Sequence, residues 1–147
     1  METNFKEIHI GNYIREHVKK HEIPLLRICN FLKTTEEEII KMYEQESLDT
    51  NVLLKWSKLL EYDFFRFYSQ HLILYAPPSS ARYNKTAINK NDQLPQFRKN
   101  IYTIEIIDFI LGQIKTGEKT KLEIIEQYKI PKTTLYKWIN KFTNRSI

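Results

Sequence analysis

Apolar residues recur at spacings of three and four through most of the 147-residue chain, the period of a helix face rather than the alternation of a strand. In "FKEIHIGNYIREHVKKH", Ile10, Tyr13, Ile14 and Val18 share one face. "PLLRICNFL" reads as a short apolar helix opened by Pro24, a residue favoured in the first turn. In "KTTEEEIIKMYEQE", Thr35 and Glu38 have the T-x-x-E spacing of a capping box, and Ile39, Met42 and Tyr43 follow on one face. "LDTNVLLKWSKLL" has Asp49 to cap it and Leu53, Trp56 and Leu60 to bury. A fifth helix starts after Asp63 in "YDFFRFYSQHLILY"; the unbroken apolar run at its end leaves helix and strand both open for residues 71–75.

The pattern then lapses. Residues 76–99 hold prolines, paired serines and asparagines without a sustained apolar period, as a linker does. Periodicity resumes in "IYTIEIIDFILGQI", with Ile104, Ile107, Leu111 and Ile114 in register, and stops at "KTGEK", a turn around Gly117. "TKLEIIEQYK" opens with a second capping-box pair, Thr120 and Glu123, and offers Leu122, Ile124 or Ile125, and Tyr128 to a core. After "KIP" comes a last helix whose Leu135, Trp138, Ile139 and Phe142 stand at i, i+3, i+4 and i+7. The expected fold is all-α. Two small helical domains, 1–75 with five helices and 100–147 with three, are joined by a linker containing Pro and Asn.

Composition adds two constraints. Hydrophobic content of 41% supports a packed core, and only 3 glycines fit few tight turns. The single cysteine, Cys29, cannot form an internal disulfide. With no signal-peptide pattern and no apolar run of membrane-spanning length, the expectation is a cytoplasmic protein without a membrane partner.

Charge divides the chain more sharply. Residues 1–76 carry 10 Lys and Arg against 12 Asp and Glu, a net of −2, whereas residues 77–147 carry 13 against 6, a net of +7. Such asymmetry points to a polyanion-binding end. In the acidic half, the helix after Thr35 turns Glu36, Glu37, Ile40, Lys41, Glu44 and Gln45 outward. Carboxylates clustered at a helix start are unsuited to a row of phosphates. The basic half ends in "YKIPKTTLYKWINKF", which has no acidic residue. Its outward side chains are Lys132, Thr133, Thr134, Tyr136, Lys137, Asn140 and Lys141. Lysine neutralises phosphate or reaches guanine O6 and N7, asparagine reads adenine, threonine meets thymine by hydroxyl and methyl, and tyrosine can bond a phosphate oxygen.

Other chemistry is thin. "GQIKTGEKT" departs from a phosphate-binding P-loop, since Glu118 separates Gly117 from Lys119. His17 and His21 stand one turn apart without an evident third ligand, which reads as a surface pair. Cys29 reads as a buried small hydrophobe. Asp49, Asp63, Asp92 and Asp108 fall in caps, linker or helix, so no carboxylate cluster for two-metal chemistry is expected. The expectation is a non-enzymatic protein with no cofactor and no metal.

Two resemblances sharpen the reading. "TKLEIIEQYKIPKTTLYKWINKF", through Thr133, Thr134, Leu135, Tyr136, Lys137 and Trp138, resembles the helix-turn-helix of insertion-sequence transposase DNA-binding subunits and Hin-type recombinases, over about residues 101–143. Lys129 stands at the usual glycine position and Pro131 at the usual N-cap serine. Residues Ile10 to Phe65 resemble the phage-repressor-like (xenobiotic-response-element) domain, with Cys29 at a usual alanine and Lys33 at a frequent glycine. These resemblances imply two helix-turn-helix domains and a sequence-specific double-stranded DNA-binding protein of transposase type, with strand cutting left to another chain. The base-facing residues are expected to be Thr133, Tyr136, Lys137 and Asn140. Phosphate contacts are expected from Lys132, Thr134, Lys141, Arg145, Arg98 and Lys99. Residues 1–75 would mediate a homodimer or dock a partner. A transcriptional repressor, or an adaptor working through the acidic domain, is the alternative.

Overall fold

The computed structural model describes residues 4–77, 94–95 and 102–142. Among these the chain is all-α. The helices are α1 (Ile10–Lys20), α2 (Leu25–Leu32), α3 (Glu36–Glu44), α4 (Thr50–Leu60), α5 (Phe65–Tyr75), α6 (Ile104–Lys115), α7 (Lys121–Tyr128) and α8 (Lys132–Phe142). The segment 71–75 belongs to α5 and is helical. The chain divides into two compact units, Glu2–Ser69 and Gln70–Ile147, so the division falls inside α5.

The first unit is built on one close approach. A helix start leaves amides without partners inside the helix. In α1, Ile10 N–H donates to the Glu46 carbonyl at 2.9 Å, and Gly11 N–H to the Gln45 carbonyl at 3.1 Å. Asn12 N–H donates to His9 Nδ1 at 3.2 Å, and Tyr13 N–H to the His9 carbonyl at 3.3 Å. The first two bonds hold the start of α1 against the end of α3. A Cβ on Gly11 would come within 3.0 Å of the Met42, Tyr43 and Gln45 carbonyl oxygens, so the contact requires glycine.

Below this contact lies a core of Ile10, Ile14, Ile28, Leu32, Ile39, Leu53, Trp56, Leu59, Leu60 and Phe64. The stripes on α1, α3 and α4 supply it as their periodicity predicts, with Tyr13, Val18, Met42 and Tyr43 half-buried at its edge. Trp56 Nε1–H donates to Met42 Sδ at 3.4 Å, which satisfies the indole in an apolar setting. Tyr13 stacks on Phe67 of α5, their ring centroids 4.1 Å apart. Cys29 is half-buried at the core edge rather than enclosed, because α2 is short and turns Leu25, Leu26 and Phe31 to the surface.

The caps refine the sequence reading. Asp49 Oδ1 accepts from Asn51 N–H at 2.8 Å and Asp63 Oδ1 from Phe65 N–H at 3.1 Å, opening α4 and α5. Pro24 is the N-cap of α2 rather than its first helical residue. At α3 only half of the expected box forms: Thr35 Oγ1 accepts from Glu38 N–H at 3.4 Å, but the Glu38 carboxylate turns to the Thr34 hydroxyl, 2.7 Å away. Thr34 presents a nearby donor that competes with the cap amide.

His17 sits against this core with its Nδ1 buried and, among the described residues, without a hydrogen-bond partner. Its ring lies 4.4 Å from His21, 5.0 Å from Tyr62 and 5.9 Å from Phe64. Burial, then the neighbouring His21 and Lys20, hold its imidazole below the usual value of about 6.5.

Two outcomes are expected. Gly11→Ala should destabilise the first unit by about 2–3 kcal/mol, the scale of overpacking against an unyielding wall, measured as a lowered urea midpoint. Because His17 binds its proton more weakly folded than unfolded, stability is full above the unfolded value and falls as pH drops through it. Thermal melts should therefore show a lower Tm at pH 5.5 than at pH 7.5, and His17→Gln should flatten that dependence.

Candidate nucleic-acid interface

The second unit places α8 on α6 and α7. Its core contains Ile106, Ile107, Ile110, Ile124, Tyr128, Ile130, Leu135 and Trp138. Ile139 and Phe142 are half-buried, so the predicted α8 stripe lies inward, deepest at Leu135. Tyr102 meets the Trp138 ring edge-on at 4.9 Å.

The register of α6 differs from the sequence expectation. Ile106, Ile107, Ile110 and Gln113 are buried, whereas Ile104 is exposed and Leu111 and Ile114 are half-buried. The helix is apolar on nearly every side, so periodicity alone names no face. A polar pair inside the core accompanies the observed register: Tyr128 O–H donates to Gln113 Oε1 at 3.0 Å. Burial pushes the Tyr128 hydroxyl up from its ordinary value, partly countered by that bond. On α7, Leu122 is exposed rather than buried, because it stands two residues before Ile124 and so on the opposite side.

Two local devices set the connection into α8. Thr120 Oγ1 accepts from Glu123 N–H at 3.2 Å, and Thr120 N–H donates to Glu123 Oε2 at 2.7 Å, a complete capping box. The Glu123 carboxyl is held below its usual range by the Thr120 backbone bond, then by the Thr120 hydroxyl. At the other end Lys129 adopts φ 54° and ψ 33° in the left-handed region, the conformation that the glycine of the resembled motif would serve. Ile130, almost fully buried, plugs the turn, and the Pro131 carbonyl accepts from Leu135 N–H at 3.1 Å to start α8. Ile130 carries no periodic signal in the sequence, because a lone apolar residue in a turn belongs to no period.

Opposite the buried stripe, Lys132, Thr133, Tyr136, Lys137, Asn140 and Lys141 are all exposed. Thr134 is half-buried because it stands one turn before Trp138, at the border of the stripe. Arg98, Lys99 and Arg145, with the linker's Arg82, Lys85 and Lys90, lie outside the described residues. Lys121, at the first position of α7, brings its ammonium to 5.3 Å from the Tyr136 ring centre, and Lys132 brings its own to 5.7 Å. Lys121 belongs to no pattern on α8, and only the folded contact reveals it. On α3, the outward residues Glu36, Glu37, Ile40, Lys41, Glu44 and Gln45 are exposed.

Among the described residues no cluster of three or more His, Cys, Asp or Glu side chains could hold a metal ion, and no helix is long and apolar enough to cross a membrane. No protein-family model, curated protein or solved structure matches the chain.

Thr120→Ala removes one arm of the capping box and should cost the second unit about 1 kcal/mol. Hydrogen exchange at the Ile124 and Tyr128 amides should accelerate accordingly, with the Ile14 and Ile39 amides unchanged.

Proposed function

We propose that this chain binds double-stranded DNA in a sequence-specific manner through α8. What supports the reading is one observation: an eleven-residue helix without an acidic side chain, anchored by Leu135 and Trp138, turns Lys132, Thr133, Tyr136, Lys137, Asn140 and Lys141 outward together. An α-helix fits the major groove, where each base pair presents a distinct set of donors and acceptors. Thr133, Tyr136, Lys137 and Asn140 supply two hydroxyls, an ammonium and a carboxamide for base edges. Lys132, Thr134 and Lys141 flank them toward phosphates. The acidic exposed face of α3 is the wrong sign for the same task.

In this reading the chain is the recognition component of a transposition system, and another polypeptide cuts. A transcriptional repressor would use the same contacts, and the location of the target sites separates the two. One observation favours an adaptor role for the first unit: Leu26 is 73% exposed, Phe31 47% and Ile40 49% on an acidic body. A dimer or partner held there would add the second contact that so small a reader needs.

The test is selection of bound sequences from a random duplex pool at about 0.15 M salt, using the full-length chain. A common motif should emerge with wild-type protein and be lost with Lys137→Glu. Absence of any enrichment with the wild type would overturn the proposal in favour of the adaptor. Enriched sites in terminal inverted repeats would support transposition, and sites in a promoter would support repression.

A further inference from the structure

Two ammonium groups, Lys121 from α7 and Lys132 from α8, lie within 6 Å of the centre of the same half-exposed ring, Tyr136. Each ammonium is attracted by the ring's quadrupole. Among the described residues neither lysine has a carboxylate partner. The acid at this end of α7, Glu123, is engaged with the Thr120 N–H and hydroxyl at 2.7 and 2.9 Å. The capping box thus engages Glu123 Oε2, and both exposed cations are available to an outside anion.

We propose that Lys121, Tyr136 and Lys132 form a phosphate clamp on duplex DNA. The Tyr136 hydroxyl donates to a phosphodiester oxygen, and the two ammonium groups neutralise the strand on either side of it. The proposal rests on the duplex-binding reading above and deepens it in two ways. It adds a contact from α7, and it moves Tyr136 from the base-reading set to the backbone-holding set. The placement follows from the helix: Lys132 and Tyr136 stand one turn apart, on the edge of the face that Lys121 reaches from α7. Thr133 and Lys137 occupy the neighbouring row, one residue further round. A phenol with two cations within 6 Å of its ring centre suits a charged oxygen, whereas base edges are neutral.

The experiment measures the affinity of full-length protein for its selected duplex and for an unrelated duplex across a salt series. Lys121→Gln should weaken binding to both duplexes alike and reduce the slope of log affinity against log salt by about 0.9. Lys121→Arg, which keeps the charge, should retain the wild-type slope. Tyr136→Phe should weaken both duplexes by the same factor, leaving their ratio unchanged. An unaltered slope in Lys121→Gln, or a Tyr136→Phe effect confined to the selected duplex, would overturn the clamp. If that happens while Lys137→Glu still abolishes binding, the duplex-binding reading stands and only the clamp falls. If the wild-type chain binds neither duplex, both fall together.

Discussion

The architecture of the first unit depends on a meeting of two helix ends, where the start of α1 gives its amides to the carbonyls that leave α3. Two problems that each helix would otherwise take to solvent are solved against each other. The partial charges at the two ends are also opposite in sign. Gly11 is the residue that permits it, since any side chain would occupy the space of three carbonyl oxygens. With those ends joined, Ile10, Ile14 and Ile39 meet without exposure, and Trp56 can close the core from α4. The direction in which α3 presents its glutamates follows from the same contact.

The second unit solves a different problem, which is how to hold a helix firmly while leaving one side of it exposed. Leu135 and Trp138 anchor α8 from within. A capping box fixes where α7 begins, and Lys129, Ile130 and Pro131 fix where it hands over to α8. Rigid supports of this kind matter for recognition, because side chains that arrive pre-positioned lose less freedom when they bind. The two halves also differ in charge balance, a net of −2 over residues 1–76 and +7 over residues 77–147.

Much of this was legible in the sequence because it was local. Thr120 and Glu123, Asp49 and Asp63 act over two or three residues, so spacing alone identified the caps. The faces of α1, α3, α4 and α8 were legible because each carries a polar side to contrast with its apolar one. The face of α6 was not, because isoleucine occupies both sides and the discriminating residue, Gln113, looks like a surface residue until Tyr128 is beside it. Gly11 was illegible for a related reason. A glycine near a helix start reads as a small cost in propensity, and the carbonyls it accommodates lie more than thirty positions away. Lys121 meets Tyr136 only after α7 and α8 have packed.

Among the described residues, every position with a positive φ other than Gly117 is charged: Glu22, Lys33, Glu61 and Lys129. Each ends a helix or stands just past one, in the conformation that glycine adopts most readily. The use of side-chain-bearing residues there has a consequence in the unfolded ensemble. A disordered chain with few glycines has fewer backbone states to surrender, so ordering these turns removes less entropy than glycine turns would. The strain carried by the native turns is therefore set against a less varied denatured state. The charge at each site also keeps the chain hydrated where its helices stop.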